Sequence, residues 1–394
     1  MNNQRYFLLL LFCVGTFLIA LGIAGIHYTQ TMTRSSTDPA VSESTKIDEI
    51  AMAFVKEGHI HIANHQGITQ KVFDLSQTEF TAPEKLLIKL SPNKKFLAYI
   101  GVSGGLDSAI KIIDIQQQKM IFQDVYGSAN ISDFSWSPDS NQIVAAVNLK
   151  HSESSYDSSL YLIDPINQSA HKPLFPAENI AIFRVDWVTS DNLYYARYSY
   201  GSKQNVAVVQ YNFITNVRNL RELAPFKTKL YDISVLFADY LISEDTMKMV
   251  AFASVIDEKA KSPELSDRLL TLSLPTMNIE KPLLQNLDLH KTRWYEEMIV
   301  GIEKEYGSPD SSVALIELSK SDEPVALLDM GPSGQFHAIR IVTENSKKFL
   351  VVWSEFDDQH RISAYDLEDL TEARKKQNTV EPIWTIAGAS SLDI

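Results

Sequence analysis

Ile110-Lys-Ile-Ile-Asp-Ile115 carries the alternation of a β-strand that buries one face more deeply than the other. Strands of similar length and pattern return along the chain. His59-Ile-His-Ile62 precedes it, and Leu160-Tyr-Leu-Ile-Asp164 and Val206-Ala-Val-Val-Gln-Tyr211 follow it. Leu269-Leu-Thr-Leu-Ser-Leu274, Val313-Ala-Leu-Ile-Glu-Leu318 and Ile362-Ser-Ala-Tyr-Asp-Leu367 complete the set. The copies begin at residues 59, 110, 160, 206, 269, 313 and 362. That is a period of about fifty residues, within the range of known repeat architectures, with one overlong step between the fourth copy and the fifth.

Most copies follow another apolar strand, at 96–102, 143–149, 193–200, 249–256, 298–302 and 349–356. Polar turns such as Ser91-Pro92-Asn93-Lys94, Ser137-Pro138-Asp139-Ser140 and Thr343-Glu-Asn-Ser346 precede many of these. Proline second and Asp or Asn third suit a type I turn, because the ring presets φ. A further strand follows each repeated one, as at 120–125 and 324–328. Helical periodicity is scarce, and Leu370–Gln377 has room for a turn or two.

Four short antiparallel strands per unit, repeated without intervening helices, predict an all-β fold, a β-propeller. Seven blades are expected, with six or eight as alternatives because of the overlong step. The first unit, starting near Asp48, holds only three strands, and residues 388–394 remain after the last unit. If that tail supplies the missing innermost strand, the ring closes and open sheet edges disappear.

Phe134-Ser-Trp-Ser-Pro-Asp-Ser140, followed by Gln142-Ile-Val-Ala-Ala-Val147, resembles the WD40-like repeat of TolB-type propellers. Residues 90–100 form a weaker copy, and Val185-Asp-Trp-Val-Thr-Ser-Asp-Asn192 keeps the tryptophan without the proline. The glycine of the family turn is Ser140 in one copy and Lys94 in another. The resemblance covers about two of the seven units. It implies a bacterial envelope protein of TolB-like or dipeptidyl-peptidase-propeller-like architecture, the TolB group being a periplasmic protein-binding platform. The chain has no room for the α/β-hydrolase domain of such peptidases, and the amino-terminal α/β domain of TolB is replaced here.

In its place, residues 6–26 form a charge-free apolar stretch. About twenty such residues span the hydrocarbon core of a bilayer. Arg5 precedes the run and no acidic residue occurs before Asp38, so the positive-inside bias puts residues 1–5 in the cytoplasm as a short stub. Residues 6–28 are expected to be a transmembrane signal anchor, residues 29–46 a Ser/Thr-rich tether, and residues 47–394 the propeller. A cleaved signal peptide is the rival reading. Five cytoplasmic residues leave no room for a signalling domain.

The 394 residues include 36 Lys and Arg against 49 Asp and Glu, a net charge of −13, and 45% are hydrophobic. Such a surface repels phosphate backbones, which disfavours nucleic acid. Cys13 is the only cysteine and lies in the apolar run, so no disulfide framework or cysteine-ligated zinc site can form.

Candidate chemistry is thin. Gly101-Val102-Ser103-Gly104-Gly105 matches G-x-S-x-G. That motif needs a helix after the serine, and a strand follows here. His59, His61 and His65 form H-x-H-x-x-x-H, in which His59 and His61 share a strand face and are weak metal candidates. Long polar loops between second and third strands carry Glu153, Asp157, Asp257, Glu258, Asp310, Asp357 and Asp358. In a propeller these loops gather on one face, which would be acidic and suited to a basic partner or a cation. Trp136, Trp187, Trp294, Trp353 and Trp384 read as inter-blade packing, and Tyr194, Tyr195, Tyr198 and Tyr200 as a half-buried strand. No cofactor is indicated. The expectation is a non-enzymatic, inner-membrane-anchored, periplasmic scaffold in an envelope complex. The alternative is a propeller enzyme or a small-molecule- or sugar-binding protein with its site in the central channel.

Overall fold

The computed structural model describes residues 49–77, 86–102, 107–152, 155–167, 169–176, 178–199, 205–222, 233–243, 248–257, 265–273, 278–285, 289–295, 298–304, 311–317, 325–329, 334–344, 346–357, 359–375 and 380–392. All lie in one compact unit, Ile47–Ile394. The expected stub, anchor and tether, with Cys13, lie outside the described residues. No helix among the described residues is long and apolar enough to cross a membrane.

The strands form antiparallel meanders. The first joins β1 (Met52–Lys56), β2 (His59–Ala63) and β3 (Thr69–Asp74) to β28 (Ala389–Leu392), in the order β28-β1-β2-β3. The second is β4 (Leu87–Leu90), β5 (Phe96–Val102), β6 (Ser108–Asp114) and β7 (Lys119–Tyr126). The third is β8 (Ala129–Trp136), β9 (Ile143–Ser152), β10 (Ser155–Asp164) and β11 (Ser169–Pro173). The fourth is β12 (Glu178–Trp187), β13 (Asn192–Ser199), β14 (Asn205–Asn212) and β15 (Val217–Glu222). Pairing of Asp157 and Ser158 with Asn179 and Glu178 fuses these two into one eight-stranded sheet.

The fifth is β16 (Ile233–Ser243), β17 (Lys248–Asp257), β18 (Leu265–Ser273) and β19 (Asn278–Gln285). The sixth is β20 (Leu289–Tyr295), β21 (Met298–Lys304), β22 (Ser311–Glu317) and β23 (Val325–Asp329). The last is β24 (Gly334–Glu344), β25 (Lys347–Phe356), β26 (Gln359–Asp366) and β27 (Trp384–Ala387). Each meander contacts the next through its first strand, and β25 and β26 contact β28, so the adjacency runs full circle.

Helix α1 (Leu367–Lys375) lies between β26 and β27. It begins three residues before the expected segment, because Asp366 Oδ1 accepts the backbone N–H groups of Glu368 and Asp369 and caps it. Leu367 and Leu370 are buried against the sixth and last meanders.

The apolar core lies between sheets. Ile60, Ile62 and Ala53 of the first meet Ile88, Leu97 and Tyr99 of the second. Ala98 and Ile112 meet Phe134, Ile143 and Ala145 in the next seam. Sheets buried on both faces explain the near-continuous apolar runs in their second strands. Polar side chains stitch the first strands together. Lys89 Nζ donates to Asp133 Oδ1 (2.7 Å) and to the Phe134 carbonyl (2.7 Å), while Asp133 Oδ2 accepts the Val185 N–H (2.9 Å). Trp136 Nε1 donates to the Lys89 carbonyl (3.2 Å). Trp353 Nε1 donates to the Ala389 carbonyl (3.0 Å), tying the last sheet to β28.

First strands also share an irregularity. Register shifts fall between Ile131 and Asp133, Ile182 and Arg184, Val235 and Phe237, His290 and Arg293, and Phe336 and Ala338. Such bulges re-aim the skipped side chain, which in β24 is His337.

Candidate functional site

In a four-stranded meander the first-to-second and third-to-fourth turns share one end of the sheet. At that end the first, second and last sheets enclose a cleft of about 560 Å³ lined by Glu49, His65, Asn93, Lys94, Arg340 and Glu344. Glu49 precedes β1, and His65 stands in the β2–β3 turn, held by Asn64 Oδ1 accepting the N–H groups of Gln66 (3.0 Å) and Ile68 (2.9 Å). Asn93 and Lys94 form the β4–β5 turn, with Lys94 at φ 60°. Arg340 and Glu344 lie on β24. His65 Nε2 pairs with Glu344 Oε1, and the ligating atoms of Glu49, His65 and Glu344 lie within 4.8 Å of one another. Lys94 and Arg340 in the same lining offset this negative charge, giving a cleft that can meet groups of both signs.

A second trio lies at the opposite end of the last sheet. His337 Nε2 is 3.0 Å from Glu355 Oε2, and His360 Nδ1 is 3.7 Å from the same oxygen. All three residues are half-buried, and their ligating atoms lie within 4.8 Å of one another.

The residues expected from sequence fare differently. Asp157 is half-buried on β10, Asp257 ends β17, and Asp357 is exposed in the β25–β26 turn at φ 49°. Glu153, Glu258, Asp310 and Asp358 lie outside the described residues, as does Ser103. His59 and His61 do share a face of β2, their rings edge-on at 6.3 Å. His59 Nε2 pairs with Asp74 Oδ2 (3.3 Å), and His61 stacks on Phe54 (5.4 Å). Burial, then the charges of His59, Lys56 and Lys71, lower the His61 pKa from 6.5 to about 4. Neither joins a three-ligand group among the described residues.

The third histidine of that motif, His65, is the one that reaches the cleft. Tyr194 and Tyr195 are core residues, and burial raises both phenol pKa values. Glu49, Arg340 and Glu344 carry no local motif, because their signal is distributed over sheets that only the closed fold brings together. His337, Glu355 and His360 lie on three consecutive strands of the last sheet, and the register shift that re-aims His337 leaves no motif in the sequence.

No protein-family model matches the chain, and no curated protein matches it. Solved structures do. TolB from Acinetobacter baumannii is 14% identical, with a TM-score of 0.41 over 69% of this chain, which spans 61% of that structure's length. An oligogalacturonate lyase in complex with manganese is 10% identical, with a TM-score of 0.54 over 79% of this chain and 84% of that one. The dihydro-heme d1 dehydrogenase NirN is 10% identical, with a TM-score of 0.51 over 91% and 78%. The lyase and NirN are β-propeller proteins, and the present chain has the β-propeller fold.

Proposed function

We propose that the chain is a seven-bladed propeller tethered to the bacterial inner membrane, with its blades in the periplasm, and that it is a non-enzymatic platform for a protein partner in an envelope complex. The seven meanders and their circular adjacency support the blade number. The charge-free run at 6–26 supports the tether.

The observation that carries the platform reading is a set of isoleucines at the end of the sheets that bears the cleft. Ile68, Ile166, Ile214 and Ile383 are 45–72% exposed. Three stand in third-to-fourth turns and Ile383 directly precedes β27. Asx caps fix those turns: Asp164 Oδ1 accepts the Asn167 N–H, and Asn212 Oδ1 accepts those of Ile214 and Thr215. Exposed apolar side chains on ordered turns, at the same end of the sheets as a polar cleft, suit a protein interface. The test is to extract the intact chain in mild detergent, measure its native size and identify stoichiometric companions. An Ile166→Asp/Ile214→Asp variant should lose the companion without a change in melting temperature. A lone wild-type particle, or a companion retained by the variant, refutes the platform reading.

A second reading, small-molecule binding in the cleft, is favoured by the convergence of Glu49, His65, Lys94 and Arg340 from three sheets. It requires a ligand whose thermal stabilisation of the protein is removed by Arg340→Ala.

A further inference from the structure

We propose that His337, Glu355 and His360 form a binding site for a first-row divalent transition cation, with zinc as its test ion. The site lies at the end of the last sheet opposite the cleft and is independent of the platform reading.

Three adjacent strands build it. Glu355 on β25 and His360 on β26 are directly opposite in register, so their side chains leave the same face of the sheet. His337 is the residue skipped by the β24 register shift between Phe336 and Ala338. Trp353, two residues before Glu355, forms a floor, its ring 4.8 Å from that of His337 and 6.1 Å from that of His360. The two imidazoles are 5.8 Å apart by their centroids. This is a convergent donor set on rigid strands, fixed behind by Trp353 Nε1 bonding the Ala389 carbonyl and by the Gly388 N–H bonding the His360 carbonyl (2.8 Å).

His337 and Glu355 are at a distance that fits a hydrogen bond and a shared ion equally, so the third donor, His360, decides between a pair and a shared site. Two ligands each about 2.1 Å from one metal are about 3.0 Å apart at a right angle and about 3.4 Å at the tetrahedral angle. The carboxylate oxygen sits 3.0 Å from one imidazole nitrogen and 3.7 Å from the other. The second distance is too long for a hydrogen bond, and His360 Nδ1 is shielded from solvent without a hydrogen-bond partner among the described residues. An ion would take a lone pair from all three groups at once. Two imidazoles and one carboxylate select borderline cations over calcium or magnesium, and three protein ligands leave positions open for water or a partner's side chain.

The experiment titrates the full-length, chelator-stripped protein in detergent with cobalt(II), follows its visible d–d absorption, and displaces it with zinc. One equivalent should saturate the band. His337→Ala and His360→Ala should each weaken binding at least about tenfold, and His65→Ala, which alters the other trio, should not. Glu355→Gln conserves volume and decides the matter if an alanine variant fails to fold: zinc should raise the melting temperature of the wild type and leave that of this variant unmoved. Absence of a saturable band, unchanged affinity in the His337 and His360 variants, loss of the band in His65→Ala, or equal zinc stabilisation of Glu355→Gln would each overturn the proposal.

Discussion

Asp133 offers the sharpest test of how the first strands hold together. Its side chain is 11% exposed and bridges three meanders, accepting Lys89 Nζ at 2.7 Å and the buried Val185 N–H at 2.9 Å. In Asp133→Ala the Val185 N–H loses its acceptor, at about 1–3 kcal/mol. The Lys89 ammonium loses its counter-charge, and removing one partner of a buried pair costs about 3–5 kcal/mol. The Lys89 side chain is 19% exposed and the Phe134 carbonyl still accepts from it, which puts this contribution at the low end. The two losses share one carboxylate and do not add in full, so about 3–4 kcal/mol is expected. For a cooperative unit of about 350 residues, an unfolding entropy of roughly 2.1 cal/mol/K per residue converts this to about 4–6 °C.

The assay is thermal unfolding followed by tryptophan fluorescence, since the Trp136 indole bonds the Lys89 carbonyl in the same seam. A double-mutant cycle sharpens it. Asp133→Asn puts an amide donor where an acceptor is needed, and Lys89→Met removes the ammonium. The pair should be less destabilised than the sum of the singles by about 1 kcal/mol or more. A shift below about 1.5 °C for Asp133→Ala, or strict additivity in the cycle, would refute the account of the seam.

Lys94 and Ser140 both sit at positive φ, 60° and 66°. Lys94→Gly should stabilise by a few tenths to about 1 kcal/mol in a denaturant titration, whereas Ser140→Gly should show no gain, because the Ser140 hydroxyl accepts the Asn93 N–H at 3.0 Å. His61, its pKa lowered to about 4 by burial first and then by neighbouring positive charge, binds its proton less readily in the folded state than in the unfolded one. Its contribution is therefore complete above the unfolded pKa of about 6.5 and is lost as pH falls towards 4; the acid limb of a Tm–pH curve should flatten in His61→Leu. Gly67 lies at φ +78°, and an added Cβ would fall 2.8 Å from Trp384 Cγ. Gly67→Ala should cost about 2–3 kcal/mol and disturb the bond from Trp384 Nε1 to the His65 carbonyl, seen as faster amide exchange in 384–387. Leu392 is 1% exposed in the strand that pairs with β1, so Leu392→Ala should cost about 2–5 kcal/mol, measured by thermal melting.

Strands were legible wherever their burial pattern was local. The segment at 110–115 falls on β6 up to Asp114, but residues 108–113 are all buried, so the expected alternation gives way to a strand covered on both faces, and Ser137-Pro138-Asp139-Ser140 forms its turn because the Ser137 hydroxyl bonds Asp139 Oδ1 and accepts the Gln142 N–H. The tail at 388–394 contains β28, which pairs with β1. Less legible were the bulges, since a skipped residue such as His337 looks like any other member of an alternating run. The fusion of the third and fourth meanders was hidden too, because it rests on two residue pairs at Asp157 and Ser158.

The candidate sites were hidden for a related reason. Glu49 and Glu344 stand near opposite ends of the described chain, and they meet only because β28 returns from the last sheet to the edge of β1. A metal or catalytic motif on one helix or loop keeps a fixed spacing, whereas residues on different blades have no spacing to conserve. His65 was visible within H-x-H-x-x-x-H, yet its strand neighbours His59 and His61 turned to Asp74 and Phe54 instead. Chemistry at the cleft is thus a property of how the sheets are joined. The Trp353 indole that forms the floor of the His337–Glu355–His360 cluster also bonds the Ala389 carbonyl of β28, so the strand that closes the first sheet also helps to fix the donor set of the last.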